Sequence, residues 1–237
     1  MRITLLFGGT NKERLVSVAT GQALHSALPE ADLWFWDVDD TVHETASETL
    51  LQHSRPFEVP FKAGTPSLGS IEAALDRAKA ENRLLVLGLH GGTAEDGELQ
   101  AMCEMRGLPF TGSGSASSHL AFDKVAAKRF AAIAGVPSPA GVTLEDIEAA
   151  FAQYGKLIAK PARDGSSYGL IYVNAKQDLT AVRNAARLEE YLIEPCIAGV
   201  EATCGVLEQP DGAVFSLPPI EIVPAEGAFD YTAKYLL

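Results

Sequence analysis

The chain has 237 residues, 47% of them hydrophobic and 21% charged, the composition of a globular protein long enough for one large or two modest domains. Its formal net charge of −12 argues against a nucleic-acid partner, whose groove needs clustered Lys and Arg to displace counterions, but leaves room for ATP where a few lysines converge and a metal ion offsets the phosphates. Cys103, Cys196 and Cys204 are odd in number and lack any Cys-x-x-Cys or Cys/His spacing, so they read as buried free thiols in a reducing compartment.

In chain order, residues 3–7 form a short apolar strand that stops at Gly8-Gly9. The run is too short for a signal-peptide core and no later run approaches a membrane span, which sets the expectation of a cytoplasmic protein with no membrane contact. Apolar residues recur at helical spacing from Glu13 through Leu24 and Leu28. Residues 33–38, which hold both tryptophans, read as a second strand, 71–80 as a helix, and 83–89 as a strand that a parallel sheet buries on both faces. This alternation predicts an open α/β sheet, whose ligands collect beyond the carboxyl ends of the strands. Two such ends carry unusual loops, Gly8-Gly9-Thr10 and residues 90–97. That coincidence points to a site. Residues 98–107 read as a helix, 108–114 as a strand with a glycine-rich turn, and 116–134 as one helix ended by Gly135 and a Pro137-Ser138-Pro139 linker. Beyond it the pattern is α+β: a helix at 144–154, two strands around a loop at 164–169, a helix at 179–188, and strands at 190–197, 200–208 and 213–223.

The stretch from Lys160 to Gly169 is the most informative. A lysine ends an apolar strand, and a loop holding Gly165, Ser166, Ser167 and Gly169 leads to a second apolar run. Such a strand–loop–strand can close over a polyphosphate: lysine gives a compact positive charge, hydroxyls and loop N–H groups donate, and glycine permits close backbone approach. It is not a Walker A loop, because the lysine precedes the glycines and no helix follows. Taken alone, the stretch reads more readily as a β-hairpin with a polar turn, and it is the other segments that shift the reading.

Seven segments in order from residue 8 to residue 235 resemble the D-alanine–D-alanine ligases of the ATP-grasp superfamily. They are Gly8-Gly9-Thr10 with Glu13, Val16 and Ser17; His90-Gly91 with Glu95-Asp96-Gly97 and Gln100; Thr111-Gly112-Ser113-Gly114; and Phe122-Asp123-Lys124 with Lys128. Then come Lys160-Pro161 with Gly165-Ser166-Ser167 and Gly169; Glu194 with Gly199 and Glu201; and Ile220-Glu221-Ile222 with Pro224, Phe229-Asp230-Tyr231 and Lys234-Tyr235. The resemblance implies an ATP-grasp fold, α/β and α+β in several domains: an open parallel-sheet domain at 1–112, a central domain at 113–192, and an incomplete C-terminal lobe at 193–237. It also implies ligation of two D-alanines for peptidoglycan synthesis. The first is phosphorylated by ATP to an acyl phosphate, and the amine of the second then displaces the phosphate.

By the same resemblance, Glu13 binds the ammonium of the first D-alanine, Val16 and Ser17 shape that pocket, and His90 lies near the substrate amino group. Read without it, Glu13 is a first-turn acid complementing a helix dipole and Val16 is core. Lys124 and Lys160 reach the ATP phosphates, and Ser166 and Ser167 belong to the phosphate loop; alone, Lys124 would belong to a solvated charged face. Glu194, Cys196 and Ile197 correspond to the segment that meets adenine, where Pro195 lacks an N–H, and Glu201 binds the ribose hydroxyls. Lys234 reaches substrate carboxylate, and Tyr235 completes a hydrogen-bonded set with Glu13 and Ser166. Tyrosine there favours an amino acid as nucleophile over a hydroxy acid. The implied cofactors are ATP and Mg2+, the metal ligands being expected beyond residue 237, and the intact protein is expected to be a homodimer. The chain as given is therefore expected to be a fragment or natural truncation, inactive by itself. Alternatives are a sister ligase using D-serine or D-lactate as acceptor, or a non-catalytic nucleotide-binding module.

Overall fold

The computed structural model describes residues 1–64, 66–224 and Lys234. The chain forms two compact units, residues 1–138 with 161–168, and residues 139–160 with 169–237.

The first unit is built on β1 (Arg2–Gly8), α1 (Arg14–Ala27), β2 (Asp32–Trp36), β3 (Thr41–Thr45), α2 (Ser47–Leu51), β4 (Ser67–Ser70), α3 (Ile71–Ala80), β5 (Arg83–Leu89), α4 (Glu98–Arg106), α5 (Ser115–Phe122) and α6 (Lys124–Ile133). Its sheet has the order β4-β3-β2-β1-β5, with β1 parallel to both β2 and β5. The alternation of a strand explains the two cores. Leu6 points into a cluster with Trp34, Leu75, Leu85 and Leu99, while Leu5 and Phe7 point the other way, to Val18, Phe35 and Phe61. Burial of each such side chain contributes about 1.5–3 kcal/mol, so the central strand is fixed in register by both faces.

Three features differ from the sequence expectation. First, β3 and β4 extend the sheet in antiparallel fashion. Their residues are largely polar, with only Val42 fully buried in β3, so hydrophobic periodicity gives them no signal. Second, the single helix expected at 116–134 breaks at Asp123, which adopts an extended conformation and accepts from the N–H groups of Val125 and Ala126 at 3.0 and 2.9 Å. A short acidic side chain competes with the helix for its own backbone donors, ending α5 and capping α6. Third, the strand expected at 108–114 reduces to a parallel bridge from Phe110 to Leu85 on the outer edge of β5.

The second unit comprises α7 (Ile147–Tyr154), β6 (Leu157–Pro161), β7 (Ile171–Val173), α8 (Leu179–Ala185) and β8 (Tyr191–Pro195), although Pro161 clusters with the first unit. Its sheet order is β7-β6-β8, and Ile147, Leu157, Val173, Leu179, Val182 and Ile193 form its core. The strands expected at 200–208 and 213–223 appear as four short ones, β9 (Glu201–Thr203), β10 (Val206–Glu208), β11 (Val214–Ser216) and β12 (Ile220–Ile222). β10 pairs with β11 and β12 with β9, antiparallel in each case. All three cysteines are free, but only Cys103 is buried; Cys196 is half-buried and Cys204 exposed. Burial pushes the Cys103 thiol up to about 11, leaving it without thiolate at neutral pH.

Candidate active site at two glycine loops

The carboxyl ends of β1 and β5 lie side by side, Gly8 opposite Leu89, so the loops that follow them meet. Asn11 joins them. Its Nδ2 donates to the carbonyl oxygens of His90 and Gly91, both at 2.9 Å, and its Oδ1 accepts from the Glu13 N–H at 2.7 Å. Ser17, buried on α1, makes a second tie: its Oγ donates to the Glu13 carbonyl at 3.3 Å and accepts from the His90 N–H at 2.9 Å. His90 places Nε2 2.7 Å from Thr20 Oγ1 and Nδ1 3.6 Å from the Glu95 carboxylate. The imidazole holds Glu95 below the ordinary carboxylate range, against the effect of burial and with help from the Gly91 N–H.

Glu13 stands at the N-cap of α1, yet its side chain caps nothing there. It is only 3% exposed, and its Oε2 accepts a short hydrogen bond from Ser166 Oγ. Oε1 has no hydrogen-bond partner among the described residues. Two glycines cover it: a Cβ at Gly91 or at Gly165 would lie 2.5 Å from Oε1. Gly91 is also left-handed, at φ 69°. Burial pushes the Glu13 carboxyl above its ordinary range, Ser166 opposes this, and Glu95 and Asp164 add to it. A buried carboxylate with an unpaired oxygen is costly unless it is protonated or receives a positive partner.

The 161–168 loop is held over this group from several sides. The Lys124 N–H donates to the Ala162 carbonyl at 3.0 Å, and Lys124 Nζ donates to the Asp164 carbonyl at 2.5 Å. Arg163 forks onto Asp123 Oδ2 at 2.6 and 2.9 Å. Lys12 sits 3.7 Å from the Asp164 carboxylate and 4.5 Å above the Tyr168 ring. Ser166 and Ser167 are both left-handed, at φ 47° and 59°, a conformation costing roughly 1–3 kcal/mol for such residues and kept only where the surroundings impose it. Beneath the loop a cavity of about 270 Å³ is lined by Asn11, Lys12, Glu13, Phe122, Arg163 and Asp164, among others. A neighbouring cleft of about 450 Å³ runs from Glu95 and Gln100 past Ser117 to Lys124 and Asp164. The structure thus brings Glu13, Ser17, His90, Lys124 and Ser166 together in one unit, with Ser167 following in the same loop, while Val16 is buried on α1.

Within the second unit, Lys160 Nζ pairs with Glu194 at 2.7 Å across adjacent strands, the carboxylate being buried and the lysine 31% exposed. The Cys196 N–H is committed to the Lys156 carbonyl at 3.1 Å, and Ile197 and Glu201 are exposed. Lys234 is half-buried. Tyr235, like Phe229, Asp230 and Tyr231, lies outside the described residues.

The family models described as "D-ala D-ala ligase N-terminus" and "D-ala D-ala ligase C-terminus" match residues 2–113 and 143–237. The chain is 38% identical to the D-alanine–D-alanine ligase of Ectopseudomonas mendocina, covering 99% of this chain and 66% of that one. It is 35% identical to that of Nitratidesulfovibrio vulgaris, covering 99% and 69%. The chain belongs to the D-alanine–D-alanine ligase family. Its fold is similar to the crystal structure of the D-alanine–D-alanine ligase from Helicobacter pylori, with a TM-score of 0.75 at 22% identity over 93% of this chain and 71% of that one. The chain spans about two thirds of the length of the curated relatives it matches. The sequence segments that resemble these ligases supply Glu13, His90 and Ser166, but the groups that hold them went unread as site residues: Asn11, Lys12, Glu95, Asp123, Arg163 and Asp164. A single sequence carries no sign of which polar loop residue reaches across 80 positions to meet another loop.

Proposed function

We propose that the intact protein joins two D-alanines to D-alanyl-D-alanine at the expense of ATP. The observation that carries this reading is the buried Glu13 carboxylate, one oxygen on Ser166 and the other unpaired between two glycines. An amino-acid ammonium on Oε1 would supply N–H donors and a positive charge to an oxygen that has no partner among the described residues. The absence of side chains at Gly91 and Gly165 lets both loop backbones lie directly against Oε1. Binding such a cation favours the ionised carboxylate and opposes the burial that pushes Glu13 above its ordinary range.

ATP, when bound, supplies the phosphoryl group that turns the first carboxylate into an electrophile. Among this chain's own residues, Lys124 and Lys160 would neutralise its phosphates, Lys160 being oriented by Glu194, and the 161–168 loop with Ser166 and Ser167 would exclude water from the activated acid. Cys196, Ile197 and Glu201 would meet the nucleoside. Since the Cys196 N–H is already used, the carbonyls and side chains of that segment are left for the base. Lys234 and Tyr235 would close on the substrate, Tyr235 bonding to the Glu13–Ser166 pair. The family's magnesium finds no match in the described residues, which contain no group of three His, Cys, Asp or Glu able to hold a metal ion. The same family reading gives a division near residues 112 and 192, a cytoplasmic location and a homodimer. The test is mass detection of the dipeptide formed by the intact protein from ATP and D-alanine, with D-serine and D-lactate as competing acceptors. D-Alanyl-D-alanine with one ADP per product is expected. Nucleotide binding without any ligated product would overturn the reading.

A further inference from the structure

We infer that Asn11 is a positioning residue for the first-substrate pocket: it fixes the Glu13 loop to the His90–Gly91 loop, so that the carboxylate and the peptide facing it keep one geometry. The inference rests on the ligase reading for the identity of the substrate, but not for the geometry. A primary amide is the side chain that can do this. It offers two N–H donors on one nitrogen and an acceptor beside them, and all three functions are used, on His90 O, Gly91 O and the Glu13 N–H. A serine has one donor, and an aspartate would put negative charge against two carbonyl oxygens.

The consequences extend past Asn11. Turning the His90–Gly91 carbonyl toward Asn11 points the Gly91 N–H the opposite way, where it meets the Glu95 carboxylate. Glu95 in turn faces the His90 ring, which is held from its other nitrogen by Thr20. The glycine pair after His90 is fitted to the same clip. A Cβ on Gly91 would lie 3.1 Å from Asn11 Oδ1, and one on Gly92 3.1 Å from Asn11 Cβ, both in the left-handed region at φ 69° and 50°. Gly91 and Gly92 therefore serve Asn11 as well as Glu13.

The test uses N11A, N11S and N11D in the intact protein, each titrated with D-alanine and, separately, with ATP by calorimetry. The Glu13 side-chain carbon is followed through a pH titration by NMR. N11A is expected to weaken D-alanine binding about tenfold, N11D more than N11A, and N11S less, with ATP affinity within about twofold of the parent in all three. The Glu13 titration midpoint should move in N11A and move upward in N11D, where a second carboxylate lies beside it. Equal D-alanine affinity in N11A and the parent, or N11D no worse than N11A, would overturn the proposal. So would parallel losses for both ligands. If the parent itself binds no D-alanine, the ligase reading fails, and the Glu13 titration alone decides: an unmoved midpoint in N11A and N11D refutes the clip.

Discussion

Gly165→Ala tests the space over Glu13 with little else disturbed. A methyl group built there would lie 2.5 Å from Glu13 Oε1, closer than real Cβ contacts come, so the carboxylate or the loop must move by most of an ångström. Gly165 is outside the left-handed region, so alanine adds no backbone strain, unlike the same change at Gly91. The methyl presses on the oxygen to which the proposed ammonium would donate. Loss of that charge-assisted hydrogen bond is worth about 1.5–3 kcal/mol, roughly a 10- to 150-fold weaker affinity. Isothermal calorimetry with D-alanine measures it directly, with the unfolding midpoint and ATP affinity as controls. D-Alanine affinity within twofold of the parent, with the fold intact, would show that Oε1 is not where the substrate binds.

Further outcomes follow from charge. Glu13 is raised above its ordinary 4.5, so its contribution to stability is present at low pH and is lost as pH rises through the folded-state value. Thermal melts should show the parent losing ground to E13Q as pH rises. Glu95 is lowered and has the opposite sign: its contribution is present above the ordinary value and disappears on acidification, so the parent's advantage over E95Q should shrink as pH falls. An E13Q or E95Q comparison flat with pH contradicts these assignments. Lys160→Ala removes the proposed phosphate donor and its ion pair with the buried Glu194. ATP affinity should fall by about 1.5–3 kcal/mol, accompanied by a lower melting temperature. Retention of both refutes the role given to that ion pair.

The sheet's central strands were legible because burial on both faces leaves largely apolar runs at residues 3–7 and 83–89. β3 and β4 were not, since an edge needs few apolar residues and Val42 alone anchors one of them. The break at Asp123 was hidden by continuous helical spacing on either side, although Asp before a helical run is a cap signal when a break is sought. At the site, a lysine closing an apolar strand before a Gly/Ser loop flagged Lys160 and the serines, whereas Glu13 emerged only from the resemblance to the ligases. What they pair with depends on long-range approach, such as Ser166 to Glu13 across 153 residues and Arg163 to Asp123 across 40. Local pattern cannot encode those distances.

Whether Glu13 receives the ammonium of D-alanine is decided by calorimetric titration of D-alanine into E13Q beside the parent. Glutamine keeps the size and the bond to Ser166 while removing the charge. D-Alanine should bind the parent and not E13Q, with equal ATP affinity in both. D-Alanine binding of parental strength in E13Q would contradict it.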